Sequence, residues 1–577
     1  MGDEKAQIAA LNALSTLLSR NTPLITLFGR SHAPTAQTAY TLSRSRSPQV
    51  RLAACHILTS LLCHTTPRGL KGDAVLDPPG MLELAVLSTL QGLVEDGEDP
   101  EVRSGACWCL STLVMDSPPR ASHASQSGLL LTLCTLLRSF PSIGSTPEAL
   151  DELYEESPSL LSLRESSMTC LASLTLPSVS LRTSLAALQP PVLPIIHSSL
   201  SHPSPGVRHA ALQVIRALSR SVEVLRSSLV DEGVVKGVLG LVMRGGGVEE
   251  GEGLEGFGLE EEREEGQEQT DDVEAEGGDE TMDDDALASA NSSMTVKGVD
   301  TDKGTGKVKE DMPGEAVKGD RRVLLAALAA LCNFSADFSP VQELLPEEHA
   351  LPLLVQYATQ PSDALLRLNG IWVLKNLVYR ADWALKSQVM GLVGWSRFIE
   401  LCRDPDLGVR EQALSMVRNL AAGRETDVVQ TVRAIGAEEL VALVEEAMGT
   451  GNDDVQMNAL FVLVNTLPEL YRSRCMLHQS PAFLSALLLS LSSPSQTLRV
   501  AAIRAVHAFL QLSVGKQELR EAGIERRVRE MDGKPKLGGR RSSGLPALGE
   551  FGVAGEVEGS LEVRETVRKV VDFFEAA

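Results

Sequence analysis

The chain is 577 residues long and 43% apolar, with a formal net charge of −23 at pH 7. This length exceeds what one hydrophobic core supports, so the chain is either multi-domain or an array of repeats. Much of the charge lies in positions 249–285, which hold 19 acidic residues and one arginine. A general nucleic-acid binder carries a basic footprint; none is visible, so we exclude nucleic acid as a partner.

The first residues, MGDEKAQIAALNAL, are acidic and amphipathic, so we expect no signal peptide. The nine cysteines form no CxxC pair and have no matching histidine spacing, so we predict no metal site. Their apolar surroundings are typical of a reducing compartment. No apolar run reaches the length of a membrane span, so we expect no membrane partner.

One pattern recurs along the chain. It begins with a turn that contains serine, aspartate or proline. An apolar residue follows, then in most copies an arginine, and then a helix rich in alanine and leucine, as in SPQVRLAACHIL (47–58) and DPEVRSGACWCL (99–110). The recurring basic or polar position is occupied by Arg51, Arg103, Arg164, Arg208, Arg367, Arg410, Gln456 and Arg499. The last three steps are 43, 46 and 43 residues.

The long step of 159 residues from Arg208 to Arg367 becomes two periods once the acidic segment is set aside. RRVLLAALAALCNFSAD at 321–337 supplies the missing unit, which gives about nine units with a period near 43. This period, with two or three helices per unit, is typical of armadillo and HEAT repeats, whose apolar faces are buried only by stacking. We therefore predict an all-α armadillo/HEAT-type α-solenoid, a right-handed superhelix with a concave groove.

A polar ladder lies nine residues after the recurring position. In successive C-terminal units the site is Asn333, Asn376, Asn419 and Asn465. Asparagine is a poor helix former, so four in register indicate a shared role. Two interpretations stay open: the amides hydrogen-bond the main chain of an extended peptide in the groove, or each bonds the backbone of a neighbouring repeat and serves stability alone. For the set, we favour the groove.

The stretch NGIWVLKNLVYRAD (369–382) reads as one helix. Trp372, Asn376 and Tyr379 are spaced i, i+4, i+7 and so share one face. The other face serves the core, with Ile371, Leu374 and Val378. A lone tryptophan is more often a partly buried core residue, but Asn376 marks this face as the groove face. There, a tryptophan and a tyrosine are suitable anchors for a ligand.

The turn and helix resemble the third helix of armadillo repeats, and Trp372-x-x-x-Asn376 matches the Trp-x-x-x-Asn of that helix. The resemblance covers about positions 8–530 outside the acidic segment. A narrower similarity is to the armadillo-repeat scaffold subunit of the GID/CTLH ubiquitin ligase. It is carried by RLNGIWVLKNLVYRADWALKSQVM (367–390), LCRDPDLGVREQALSMVRNLAAG (401–423), CNFSAD (332–337) and NALFVLVNTL (458–467).

This resemblance implies a scaffold without catalysis of its own. Such a subunit bridges the RING and LisH-CTLH core of the ligase to an exchangeable substrate receptor, whose C-terminal tail inserts into the groove. The implied docking positions are Trp372 and Tyr379, with the neighbouring Asn376 and Asn419. The N-terminal half would face the ligase core, and we expect the chain in cytoplasm and nucleus.

The composition divides the chain into five segments. They are N-terminal repeats (1–244), an acidic disordered insert (245–320), C-terminal repeats with the ladder (321–531), a flexible linker (532–559) and a closing helix (560–577). Low hydrophobicity and dense charge predict the disorder of the insert. The closing helix has an apolar stripe with Val563 and Phe574, and we expect it to cap the last repeat rather than dock a partner.

No catalytic motif occurs in the sequence: G-x-S-x-G, the P-loop, H-E-x-x-H and the dinucleotide fingerprint are all missing. We therefore expect a binding scaffold with no enzyme activity and no cofactor. Two alternatives to the ligase scaffold stay open. One is an importin-α-like or other armadillo peptide-binding adaptor, although only one unit has the Trp–Asn pair. The other is a co-chaperone or cytoskeletal adaptor, which would have a broad apolar groove instead of a polar ladder.

Overall fold

The computed structural model describes residues 2–18, 21, 23–25, 33–64, 81–115, 117–140, 156–221, 233–245, 320–335, 350–475, 477–512, 515–532 and 561–575. Within these ranges every regular element is a helix, and no strand occurs. The predicted acidic insert and linker lie almost entirely outside the described residues. The described residues form two compact units, a first unit that ends at Gly394 and a second that begins at Trp395.

The first unit contains sixteen of the α-helices that the structure describes. They are α1 (Gly2–Leu18), α2 (Ala33–Leu42), α3 (Pro48–His64), α4 (Met81–Glu95), α5 (Pro100–Val114), α6 (Pro118–Gln126), α7 (Leu129–Ser139), α8 (Pro158–Thr175), α9 (Val179–Ala187), α10 (Leu193–Ser198), α11 (Pro205–Leu218), α12 (Val234–Met243), α13 (Arg321–Phe334), α14 (Ala350–Ala358), α15 (Ala364–Leu377) and α16 (Trp383–Val393). A short 3₁₀ turn at Ser199–Ser201 precedes α11.

The second unit continues the same alternation of shorter and longer helices. Its described helices are α17 (Trp395–Cys402), α18 (Leu407–Leu420), α19 (Glu425–Ile435), α20 (Ala437–Met448), α21 (Asp453–Arg472), α22 (Pro481–Ser490), α23 (Gln496–Gln511), α24 (Lys516–Glu521), α25 (Ile524–Asp532) and α26 (Leu561–Glu575). A 3₁₀ turn at Leu477–Gln479 precedes α22.

The third helix of each repeat is the one that follows the recurring turn. In the first unit these are α3, α5, α8, α11, α13 and α15, and each packs against the next. In the second unit α18, α21 and α23 pack in the same way. Nine third helices in the described ranges correspond to the nine predicted repeats, so the chain is an all-α armadillo-type solenoid. The handedness of the superhelix stays a prediction.

The recurring turn starts most of the third helices through a polar residue that caps them. The Asp99 carboxylate accepts the Glu101 N–H at 2.9 Å, and Pro100 follows at a helix position that needs no N–H donor. Asp363 caps α15 in the same way, and Asn452 caps α21. The Ser/Asp/Pro signal in the sequence is therefore a helix-start signal.

The core lies between successive third helices and the shorter helices that cover them. The predicted core face of α15 is confirmed, because Ile371, Leu374 and Val378 are fully buried. Gly370 allows α14 and α15 to cross closely. A Cβ atom on it would lie 2.5 Å from the backbone nitrogen of Ala358.

The prediction of one helix through 369–382 is wrong at its C-terminal end. Helix α15 ends at Leu377, and Tyr379 lies in the turn that follows. Arg380 adopts a left-handed backbone with φ of 54°, and the Asp382 carboxylate caps α16 by accepting the Leu385 N–H. The chain turns after Leu377 to reach Asp382, the N-cap of α16. The i, i+7 relation between Trp372 and Tyr379 therefore spans a turn and does not define one helix face.

Helix α26 packs against α23 and α25. The apolar stripe predicted for it is buried there, with Val563 at 1%, Phe574 at 2% exposure, and Val567 and Val570 also covered. In the described part of the chain, no helix has the length and apolar character needed to cross a membrane.

Candidate partner-binding face

The aromatic residues predicted as anchors lie at the C-terminal end of α15. Trp372 and Tyr379 are both partly exposed, whereas Asn376 between them is 8% exposed. The backbone N–H of Tyr379 donates to the Asn376 carbonyl at 3.1 Å, which fixes the turn that carries the phenol. Two partly exposed rings therefore flank a buried amide along the chain.

A cation lies over each of these rings. The Lys375 Nζ atom is 5.3 Å from the centroid of the Trp372 ring, and the Arg380 guanidinium carbon is 5.1 Å from that of Tyr379. Such cation–π contacts contribute about 0.5–1 kcal/mol at exposed sites. A ligand at this surface therefore meets aromatic carbon and positive charge together.

The ladder asparagines connect neighbouring third helices. The Asn376 amide nitrogen donates to the Cys332 carbonyl at 2.6 Å, and the Asn465 nitrogen donates to the Arg418 carbonyl at 3.2 Å. The Asn333 nitrogen donates to the Arg216 carbonyl at 3.1 Å. In each case the acceptor lies in the last turn of the preceding third helix, where carbonyls lack an intrahelical partner.

These bonds match the interpretation in which each amide bonds the backbone of a neighbouring repeat. They use only part of the hydrogen-bonding capacity of each amide. An asparagine side chain has two N–H donors and an acceptor oxygen. The inter-repeat bond occupies one donor of Asn376 and of Asn465, whereas the Asn333 amide nitrogen donates to both the Arg216 carbonyl and the Ser219 hydroxyl. Asn419 is 4% exposed and sits at the same position of α18. The role of the four amides in partner binding stays a prediction.

The structure brings the predicted site residues together in two groups. Asn333 on α13 and the Trp372–Tyr379 surface on α15 lie in the first unit, where these two helices pack. Asn419 on α18 and Asn465 on α21 lie in the second unit, where their helices also pack. We call the first group the α15 face, defined by Trp372, Asn376 and Tyr379 with their neighbour Asn333.

The second unit has an aromatic position that the sequence analysis did not include in the site. Phe461 on α21 is the repeat equivalent of Trp372 and is partly exposed. The guanidinium carbons of Arg418 and Arg504 lie 5.5 and 5.9 Å from its ring centroid. Its register, five residues after the recurring Gln456, was the signal that pointed to it.

The recurring arginine has a structural role that spacing alone did not reveal. Arg367 donates through Nη1 to the carbonyls of Gln360 and Pro361 at 3.0 and 2.9 Å. Equivalent bonds to carbonyls before the third helix are made by Arg103, Arg208, Arg410, Gln456 and Arg499. This side chain ties the end of the preceding helix to the third helix, so its recurrence reflects folding and not ligand binding.

Burial shifts the pKa of several described cysteine and histidine side chains. Burial raises the pKa of the Cys107, Cys332 and Cys402 thiols to about 12, which keeps them protonated near neutral pH. Burial also lowers the pKa of His56 and His209. Among the described residues, no cluster of three or more histidine, cysteine, aspartate or glutamate side chains is arranged to hold a metal ion.

Comparison with solved structures returns engineered and designed proteins. An engineered protein covers 94% of this chain at 14% identity with a TM-score of 0.49, and the chain covers 99% of it. A designed armadillo repeat protein covers 44% of this chain at 17% identity with a TM-score of 0.33, and 94% of that protein is matched. The fold assignment itself rests on the helix order described above.

No protein-family model matches the chain. Curated relatives match part of it: GID complex subunit 5 of Schizosaccharomyces pombe is 30% identical over 146 residues, which is 25% of this chain and 18% of that protein. Armadillo repeat-containing protein 8 of Danio rerio is 32% identical over 143 residues, which is 25% of this chain and 21% of that protein. The chain thus spans about a fifth of the length of the curated relatives it matches. Over that stretch, this armadillo-type chain is similar to GID complex subunit 5 and to armadillo repeat-containing protein 8.

Proposed function

We propose that this chain is a non-catalytic armadillo scaffold of a GID/CTLH-type ubiquitin ligase. Its C-terminal repeats dock an interchangeable substrate receptor, and its N-terminal repeats join that receptor to the RING and LisH-CTLH core. The observation that carries the proposal is the α15 face, where two partly exposed rings flank a buried amide at the end of α15. The similarity to GID complex subunit 5 over a quarter of the chain supports the choice of complex.

The geometry of the α15 face suits an extended peptide tail. Trp372 and Tyr379 offer large, rigid contact surfaces with polar tips, the residue types enriched at binding hot spots. Asn376 contributes an amide whose position is fixed by its bond to Cys332. Because these side chains are held in place before the ligand arrives, little conformational entropy is lost on binding.

The mechanism is one of geometry and effective concentration. A scaffold that holds a receptor through one segment and the catalytic core through another raises the concentration of substrate lysines near the charged ubiquitin carrier. The scaffold needs no proton-transfer group or nucleophile for this. Degradation by the proteasome, and residence in cytoplasm and nucleus, are parts of the same proposal.

The N-terminal repeats have an exposed ring of their own. Trp108 on α5 is 41% exposed and occupies the repeat position that corresponds to Trp372 on α15. In the proposed scaffold this ring belongs to the half that faces the ligase core. It therefore provides a matched control, the same residue type at the same position of a different repeat.

The test is affinity purification of the tagged chain from its own cells with quantitative mass spectrometry. Wild type is compared with Trp372→Ala/Tyr379→Ala and with Trp108→Ala. We expect RING and LisH-CTLH subunits to co-purify with wild type and with the double variant. A substrate receptor should be lost from the double variant only, because removing the two rings should weaken receptor binding by roughly 2 kcal/mol or more. Transport receptors, or one unrelated client, in place of ligase subunits would refute the ligase assignment.

A further inference from the structure

Two arginines lie at and just after the C-terminal end of helix α11. Arg216 lies in the last turn of α11 and Arg220 in the turn that follows the helix, close enough for its positive charge to act on Arg216. Both are partly exposed. Within the described residues, neither guanidinium makes an ion pair or a side-chain hydrogen bond. Two like charges are thus held close together without a described carboxylate.

A third arginine lies beside them. Arg182 on α9 is 6% exposed, and its Nη1 atom donates to the carbonyls of Thr175 and Leu176 at 3.2 and 2.8 Å. Its Nε atom is buried without a partner. Burial, and next the positive charge of Arg220, lower the pKa of Arg182 to about 10. Burial also lowers the pKa of Arg216 and Arg220.

These cations adjoin the candidate face through Asn333. The Asn333 amide nitrogen that donates to the Arg216 carbonyl also lies 3.0 Å from the Ser219 Oγ. Arg216 occupies the repeat position just before the ladder site, and Lys375 occupies that position on α15. The Cys332 thiol, at the same position of α13 between them, experiences the positive charge of both Lys375 and Arg216. We call Arg182, Arg216, Arg220 and Lys375 the basic ridge.

Arg216 and Arg220 are partly desolvated like charges, and such a pair is unfavourable until an anion joins it. Guanidinium groups bind carboxylates through paired, charge-assisted hydrogen bonds, and these are stronger where water is partly excluded. We propose that the basic ridge binds the carboxylates of an acidic peptide, so that the ligand of the α15 face carries aspartate or glutamate beside its apolar anchor. This inference rests on the proposed docking function and specifies the chemistry of the docked segment.

The ridge is better matched to a peptide than to a nucleic acid. A nucleic-acid binder needs a long track of cations, whereas the formal charge of this chain is −23 and its ridge has four cations. The neighbouring positions are single aromatic rings and asparagine amides, which are suited to an extended polypeptide. A peptide with a short acidic segment next to an apolar residue can contact both the basic ridge and the aromatic rings of the α15 face.

The test measures fluorescence anisotropy of labelled peptides on the full chain. A peptide of alternating glutamate and leucine is compared with its glutamine counterpart and with a single-stranded RNA. We expect saturable binding of the acidic peptide that weakens with added salt and is at least about tenfold tighter than that of the glutamine peptide. Equal binding of the two peptides, or binding of the RNA alone, would overturn the proposal.

Three double variants assign the effect to the ridge. Arg216→Gln/Arg220→Gln should weaken binding of the acidic peptide by about tenfold or more. Arg216→Lys/Arg220→Lys keeps the charge but loses the paired hydrogen bonds, so its affinity should lie between those of wild type and the glutamine double. Arg526→Gln/Arg568→Gln removes the same charge at side chains that are 86% and 60% exposed elsewhere, and should have little effect. Equal loss in both glutamine doubles would show a general charge effect and refute the ridge. Circular dichroism checks that each variant keeps its helices.

Receptor capture from cells separates this inference from the proposed function. Suppose Trp372→Ala/Tyr379→Ala loses the receptor while Arg216→Gln/Arg220→Gln keeps it. The docking function then stands and the acidic-ligand inference fails. If neither double variant loses a partner, docking at the α15 face itself is wrong, and the inference falls with it.

Discussion

Replacement of Asn376 by alanine tests whether the ladder joins one repeat to the next. The amide nitrogen lies 2.6 Å from the Cys332 carbonyl, and both residues are buried. The carbonyl also accepts from the Ser335 hydroxyl at 3.1 Å, so it keeps one partner when the amide is removed. We therefore expect a loss of about 1–2 kcal/mol, the range of one neutral hydrogen bond plus some packing.

Asn369 on the same helix provides the matched control. It is equally buried, but its amide donates to the Leu365 carbonyl of its own helix at 2.8 Å. Alanine there loses only a local bond, and its higher helix propensity offsets that loss by about 0.5 kcal/mol. Asn369→Ala should therefore affect the contact between α13 and α15 much less than Asn376→Ala does.

Hydrogen exchange with mass spectrometry is the suitable assay, because repeat arrays unfold in parts and a single midpoint is poorly defined. We expect exchange in α13 and α15 to accelerate by a factor of about 5–30 in Asn376→Ala. Exchange in α3 and α5 should be unchanged. The inter-repeat role of the amide is refuted if α13 and α15 exchange as in wild type, or if Asn369→Ala has the same effect.

Three further predictions concern packing, pH and thiol chemistry. Gly370→Ala forces α14 and α15 apart, since its methyl group would lie 2.5 Å from backbone, and should cost about 1–3 kcal/mol by local hydrogen exchange. The hydrogen bonds from Arg321, at 2.6 and 2.9 Å, hold the pKa of Asp363 below its usual range, so their stabilisation of the α13–α15 contact is present above about pH 4 and is lost as pH falls through the lower folded-state value. Asp363→Asn, which keeps the cap, should show a shallower acid dependence of exchange in α15. In the native chain, the partly exposed Cys63 and Cys475 should react with iodoacetamide before the seven buried cysteines, as measured by peptide mapping.

Each of these three predictions can be refuted by one measured result. Wild-type exchange in α14 and α15 of Gly370→Ala would mean that the helices do not cross closely. An acid dependence of Asp363→Asn identical to that of wild type would remove the ion pair as its cause. Rapid labelling of buried thiols such as Cys107 or Cys332 would show that the repeats around them open easily.

The sequence predicted the features that depend on residues close together along the chain. Polar residues of the recurring turns cap third helices such as α5, α15 and α21 where the period placed them, and the core face with Ile371 is fully buried. The end of α15 was missed because Arg380 takes a left-handed conformation between two caps, which periodicity does not encode. The carbonyl partners of Asn376 and Arg367 were also beyond the sequence, since they depend on how one helix packs on its neighbour.

Site-specific photo-crosslinking from the α15 face tests the central claim most directly. A photoreactive phenylalanine analogue is placed at Tyr379, a partly exposed aromatic position, in the chain expressed in its own cells. The control is the same analogue at Leu131, a 57% exposed side chain of α7. The account predicts a crosslink from position 379, and none from 131, to the C-terminal segment of a protein that co-purifies with RING and LisH-CTLH subunits. Crosslinking from position 379 that does not exceed the control, or that ends on unrelated proteins, would contradict docking at this face.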